Sequence, residues 1–118
     1  MSEVRLKRAY DPPAPEDGTR VLVDRLWPRG LKRASAGIDL WLKDVAPSAE
    51  LRRWFGHDPK RWAEFQRRYR AELAEQPAAL ATLRGLMAKR RPLTLLYAAR
   101  DAEHNNAIVL RDTLLSQR

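Results

Sequence analysis

Apolar and polar positions alternate along the chain with two periods, one typical of strands and one of helices. Short apolar runs within residues 20–25 and 93–99 are bounded by polar residues or proline, as in central strands buried on both faces. Residues 4–9 alternate apolar and basic residues, and Ile38, Leu40 and Leu42 alternate with polar or aromatic ones. These two patterns predict strands with one wet face, the first near an edge of the sheet.

Four amphipathic segments predict helices with recognisable starts. Ser48 is suited to cap a helix through Phe55, and Asp58 followed by Pro59 opens one that ends at about residue 75. Pro77 starts a third helix that ends near the basic residues 89–91, and Asn105 or Asn106 caps the last. The residues expected to face inward recur at helical spacing: Leu51, Trp54 and Phe55; Trp62, Phe65, Tyr69 and Leu73; Leu80, Leu83 and Met87; Ala107, Leu110 and Leu114.

This order of elements predicts a Rossmann-like α/β fold. Apolar strands that alternate with amphipathic helices imply a mostly parallel sheet of about four strands, flanked by helices in three layers. The 118 residues suit one α/β domain over 1–118. Buried positions are expected at Val21, Val23, Leu51, Trp54, Phe65, Leu83, Leu95, Leu96 and Leu110.

Composition narrows the chemistry that the chain can perform. The sequence has no cysteine, which excludes disulfides, thiolate nucleophiles and thiolate metal ligands. It has neither an apolar stretch long enough to span a bilayer nor a signal peptide, so we expect a cytoplasmic protein without membrane contact. The formal net charge is +8, with the basic excess in residues 1–35 and 61–91, and it favours anionic partners.

Polar side chains gather in two loops that follow predicted central strands. Residues 24–33 hold one carboxylate, three arginines and one lysine, and residues 100–106 hold a histidine and two amides at the start of the last helix. Because ligands of open α/β sheets bind at the carboxyl ends of strands, we expect the two loops to share one cleft. Guanidinium groups and helix N–H groups bind phosphate or carboxylate. The loops therefore predict an anion site.

Each candidate residue of this site has a functional and a structural interpretation. We assign proton transfer to Asp24 and His104, and ligand binding to Arg25, Arg29, Tyr97, Arg100, Asn105 and Asn106. Asp24 can instead orient Arg25 or Arg29 through an ion pair, and His104 can simply be solvated at a helix start. His57, which precedes the Asp58 cap, is more typical of a structural or surface residue.

Three long motifs resemble one family across essentially the whole chain. They are RVLVDRLWPRGLKR at 20–33, WLKDVAPSAELRRWFGHDPKRW at 41–62 and LYAARDAEHNNAIVL at 96–110. The chain resembles the YeaO-like proteins, a branch of the family of domain of unknown function 488. The resemblance implies a parallel α/β sandwich and brings no established activity. The wider family pairs Asp-x-Arg with a later Cys-His-Arg element, and here that stretch reads His104-Asn105-Asn106, so no cysteine-based role transfers.

Two functions from different classes fit these observations. The first is a protein, enzymatic or not, that binds a small anion such as a nucleotide or sugar phosphate without a cofactor. The absence of G-x-S-x-G, P-loop and G-x-G-x-x-G motifs disfavours serine hydrolysis and the usual nucleotide chemistries. The second is a basic nucleic-acid or interaction module that uses Arg67, Arg68 and Arg70 and residues 89–91, although such charge runs usually form solvated faces.

Tryptophans and histidines add two further expectations. Of the four tryptophans, Trp54 and Trp62 are expected in the core, and Trp27, in a loop between two arginines, is the candidate for stacking on a base. Two histidines 47 positions apart, at His57 and His104, give no recognisable ligand spacing. We therefore expect no metal site. The sequence leaves the oligomeric state open.

Overall fold

A four-stranded, all-parallel sheet forms the centre of the computed structural model, which describes residues 4–116. Its strand order is β1-β4-β2-β3, which confirms the predicted α/β fold and the edge position of β1. The strands are β1 (Val4–Arg8), β2 (Thr19–Leu22), β3 (Leu40–Trp41) and β4 (Leu93–Tyr97). β2 and β4 end before the predicted limits of residues 25 and 99, because the chain turns there into the two polar loops.

Within residues 4–116, five α-helices connect or follow the strands. They are α1 (Arg33–Ala36), α2 (Ala49–Phe55), α3 (Trp62–Ala74), α4 (Pro77–Met87) and α5 (Asn106–Ser116). The Ser48 hydroxyl accepts a hydrogen bond from Leu51 N, and Asn105 Oδ1 accepts one from Ile108 N, as expected of N-caps. Asp58 caps the 3-10 turn Pro59–Arg61 instead of an α-helix, so α3 begins only at Trp62. The short α1 was not predicted.

The two faces of the sheet are covered differently. Helices α2 to α5 pack on one face, where Val21 and Leu95 contribute to the main core. On the other face a smaller cluster forms around Leu22 and Leu96, against side chains of the β2–β3 connection. The positions predicted to be buried or in the core are buried except Trp54 and Trp62, which pack against the main core but are only partly buried. The guanidinium groups of Arg61 and Arg68 lie over the Trp54 ring.

Asp17 holds the connection between β1 and β2 against the less covered face. Its buried carboxylate lies 2.6 Å from Arg20 Nη1 and 2.9 Å from Lys7 Nζ, and its carbonyl accepts a hydrogen bond from the Thr94 hydroxyl. Burial alone raises the pKa of Asp17, but hydrogen bonds from Lys7, the Ala14 N–H and Arg20 outweigh it and hold the pKa below its ordinary value. A paired, hydrogen-bonded charge is tolerated in such a position.

Truncation of Leu96 tests the central position of β4. Leu96 is fully buried, so Leu96→Ala should lower the free energy of unfolding by about 2 to 5 kcal/mol through lost contacts and a residual cavity. Chemical denaturation measures this change. Leu115→Ala is the matched control, since Leu115 is 50% exposed. Equal losses in the two variants would contradict the placement of β4.

Candidate functional site

A pocket of about 610 Å³ opens at the carboxyl ends of β2 and β4. These strands are neighbours in the sheet, and the chain leaves β2 toward one face and β4 toward the other. Such a switch point is where ligands bind in open α/β sheets. Four parts of the chain line the pocket: Tyr10, the loop 24–29, residues 47–65 in and around α2 and α3, and residues 98–106.

Asp24 lines the pocket and joins the two strand ends. Its Oδ2 accepts a hydrogen bond from Ala98 N at 2.8 Å. Burial raises the pKa of Asp24 above its ordinary value, against the opposing effects of the Ala98 N–H, the nearby Asn106 amide and the positive charge of Arg52. A carboxyl with a raised pKa is suited to proton transfer.

The arginines of the pocket differ in how much of their hydrogen-bonding capacity is already used. Arg25 donates to the carbonyls of Pro47 and Ala46 at 3.3 and 3.4 Å, so it fastens the loop after β2 to the start of α2. Arg29 and Arg52 line the same pocket. Within residues 4–116 neither of their guanidinium groups makes a hydrogen bond or an ion pair. Two cationic groups are therefore available to a ligand.

The turn before α5 brings the remaining predicted residues to the pocket. Asp101 Oδ2 lies 2.9 Å from His104 Nδ1, and the Glu103 N–H and the His104 ring hold the pKa of Asp101 below its ordinary value. His104 also packs edge-on against Trp62. The side chain of Asn105 caps α5, and Asn106 Nδ2 donates to Val23 O at 3.0 Å. Both amides thus have structural partners.

Two of the predicted ligand-binding residues do not line the pocket. Tyr97 is buried in the main core, and burial raises the pKa of its hydroxyl. Its side chain leaves β4 on the helix-covered face, whereas the pocket lies beyond the strand end at Ala98 and Ala99. Arg100 is exposed and likewise outside the pocket lining.

Arg52, Phe55 and Phe65 are among the pocket residues that were not assigned to the site from the sequence. Arg52 follows the buried Leu51 on α2. The amphipathic pattern alone identifies position 52 only as a polar position next to a core position. Phe55 stacks on Phe65 with ring centroids 4.3 Å apart, and the pair forms an apolar wall of the pocket. A helical pattern of aromatic residues predicts a core face, which these two also form.

His57 also lines the pocket, in a backbone conformation that side chains rarely adopt. Its φ is 57°, and within residues 4–116 it is the one non-glycine residue with a positive φ. The preceding Gly56 has a φ of 53°, so the chain makes two left-handed steps where α2 ends. A β-carbon in this region is strained, and strained residues cluster at functional sites.

The structure also allows the basic run on α3, potential metal ligands and potential membrane spans to be examined. Arg67 and Arg68 both pair with Glu64, so the basic run on α3 is partly neutralised. Within residues 4–116 there is no cluster of three or more potential metal-ligating residues. No helix in that range combines the length and apolar character needed to cross a membrane.

Trp27, the predicted stacking residue, lines the pocket but is already engaged. Its indole N–H donates to Leu31 O at 2.8 Å, the Arg33 guanidinium lies 4.3 Å from the ring centroid, and Trp41 packs edge-on against it at 5.5 Å. The ring is therefore fixed in position.

Comparison with known proteins gives one consistent result. A family profile described as "Inactive DUF488-N3 subclade" matches residues 3–118. The chain is 45% identical over 113 residues to the uncharacterized protein YeaO of Escherichia coli, covering 96% of this chain and 97% of YeaO. It has the same identity to the uncharacterized protein Rv3073c of Mycobacterium tuberculosis, covering 96% of this chain and 94% of that protein. No solved structure matches the chain significantly.

Because the pKa of Asp24 is raised, we expect its replacement by a neutral residue to stabilise the fold to an extent that depends on pH. The folded state favours the neutral acid. The contribution of Asp24 to stability is therefore fully present at pH values below its ordinary pKa of 3.8, and it is lost as pH rises through the raised pKa. Asp24→Asn should therefore raise the melting temperature at about pH 7 and leave it nearly unchanged at about pH 3. Thermal denaturation across pH measures this, with the exposed Asp44→Asn as control. A gain of equal size at both pH values would contradict the assigned direction.

Glycine at position 57 should stabilise the fold. His57→Gly removes the β-carbon that is strained at φ 57°, so we expect the free energy of unfolding to rise by about 1 kcal/mol. His57→Ala is the matched control, because it removes the imidazole but keeps the β-carbon. Denaturant titration of both variants separates the two effects. A loss of stability in His57→Gly alone would show that the left-handed backbone is not strained there.

Proposed function

Since the chain belongs to the DUF488 family, within the subclade described as inactive, we propose that it is a binding protein for a small anionic ligand, a nucleotide or sugar phosphate. The ligand occupies the pocket at the ends of β2 and β4. The observation that carries this proposal is the pair of guanidinium groups, of Arg29 and Arg52, that line the pocket without partners among the described residues. Such groups bind phosphate by charge-assisted hydrogen bonds.

The size and walls of the pocket support an organic anion. Small-molecule sites usually enclose about 300 to 1,000 Å³, and this pocket measures about 610 Å³. The stacked pair Phe55 and Phe65 provides an apolar wall, and Leu26, although 61% exposed, also lines the pocket. A ring or sugar carbon skeleton can cover these surfaces while its phosphate meets the arginines.

The positions at which the wider family is expected to carry a Cys-His-Arg element support binding without turnover. Here they are His104, Asn105 and Asn106, and both amides serve the fold as a helix cap and a link to β2. None of the three supplies a thiol nucleophile. Proton transfer by Asp24 or His104 is the competing hypothesis, favoured by the raised pKa of Asp24 and by the contact of His104 with Asp101.

The nucleic-acid alternative is less well supported by the described contacts. The basic run on α3 has two of its three arginines paired with Glu64. Such a module needs free cations on a continuous surface to neutralise several phosphates. The pocket is concave instead, and it brings cations and apolar side chains together.

Calorimetric titration with adenosine 5′-monophosphate and ribose 5-phosphate tests the proposal. We expect saturable binding, and we expect Arg52→Ala to weaken it about 10- to 100-fold through the loss of a charge-assisted interaction. Arg53→Ala is the matched control, because the neighbouring Arg53 is exposed and lies outside the pocket lining. Phosphorus NMR of the same mixtures monitors any chemical change in the ligand.

Four results would count against the proposal. Absence of binding by both compounds would overturn it, as would equal losses in Arg52→Ala and Arg53→Ala. Salt-dependent binding of generic DNA or RNA that is lost on charge reversal of Arg67, Arg68 and Arg70 would favour the alternative. Turnover of the ligand would show that the pocket is catalytic and would retain Asp24 and His104 as its proton-transfer groups.

A further inference from the structure

Asp24 is a carboxylate in a pocket whose other charged lining side chains are basic. Arg25, Arg29 and Arg52 line the same space, together with two histidines. A carboxylate here repels any anion, so a pocket built for bare phosphate would be better with a neutral residue in its place. The presence of Asp24 therefore requires a reason.

An ion pair does not supply that reason. The sequence allows Asp24 to orient Arg25 or Arg29, but the Arg25 guanidinium donates to the carbonyls of Ala46 and Pro47. Within residues 4–116 Asp24 takes part in no salt bridge. The positive charge of Arg52 acts on it only through space.

The structural hydrogen bonds of Asp24 leave part of its accepting capacity unused. Among the described residues the Ala98 N–H, which binds Oδ2 at 2.8 Å, is the donor to this carboxylate. A carboxylate has about four acceptor sites, so about three remain on a group that lines the pocket. A donor on the ligand is the natural partner for them, because an ionised acceptor strengthens the hydrogen bond it receives.

We propose that Asp24 is the specificity-determining residue of the pocket and selects anions that also carry an O–H or N–H donor. The preferred ligand then has two parts, a phosphate that meets Arg29 and Arg52, and a sugar hydroxyl or base N–H that donates to Asp24. Anions without such a donor meet only the repulsion of the carboxylate. This inference rests on the proposed anion site and adds the chemical feature by which the site distinguishes one anion from another.

Two phosphate monoesters with and without a donor test the selection. Ribose 5-phosphate carries hydroxyl groups, whereas methyl phosphate carries the same phosphate and no other donor. Each is titrated calorimetrically into the wild-type protein and into Asp24→Asn, which keeps the size of the side chain and removes its charge. We expect Asp24→Asn to weaken ribose 5-phosphate about 3- to 10-fold and to strengthen methyl phosphate by a similar factor.

The opposite signs distinguish selection from a purely structural role. If Asp24 only holds the two strand ends together, both ligands change in the same direction, and this result would overturn the inference while leaving the proposed function intact. If neither ligand binds the wild-type protein, the proposed function fails and the inference fails with it. Asp44→Asn, on the exposed surface, controls for net charge and should shift neither affinity.

Discussion

The handedness of connections between parallel strands is the constraint on which the rest of this structure depends. With the order β1-β4-β2-β3, the chain moves in one direction from β1 through β2 to β3 and then returns to β4. Right-handed connections place the outward path on one face of the sheet and the return path on the other. β2 and β4 are therefore neighbours. Because α5, which follows β4, packs on the face that the return path covers, the chain leaves the two strands in opposite directions, and the pocket lies at their ends.

The same constraint explains why the two faces are held together by different interactions. The return path contains α2, α3 and α4, and with α5 it buries one face in an apolar core. The outward path contains only short turns and α1, and it covers the other face partly by polar contacts centred on Asp17. The connection lies so close there that a β-carbon on Gly18, whose φ is 65°, would approach Pro92 O to 2.1 Å. Gly18 and Pro92 directly precede the paired strands β2 and β4, so a larger residue at position 18 would require the backbone to move there.

The residues around the pocket divide into those that build it and those that remain available. Arg25, Asn105 and Asn106 fasten the loop after β2 and the start of α5 to neighbouring backbone groups. Arg29 and Arg52 make no such contacts among the described residues, and His57 is held in a strained conformation at the rim. Strained residues cluster at functional sites, so a strained side chain beside two arginines without partners accords with the proposed role in binding.

The sequence by itself determined the features that depend on neighbouring residues: the strands, the helix caps at Ser48 and Asn105, and the convergence of two polar loops expected from a parallel sheet. Only the tertiary structure decided which side chains of those loops are free. Arg25 finds carbonyl acceptors about twenty residues away, Arg52 reaches the pocket from a helix assigned to the core, and Tyr97 turns into the core. Periodicity and capping are local, whereas the partner of a polar side chain depends on how distant segments pack.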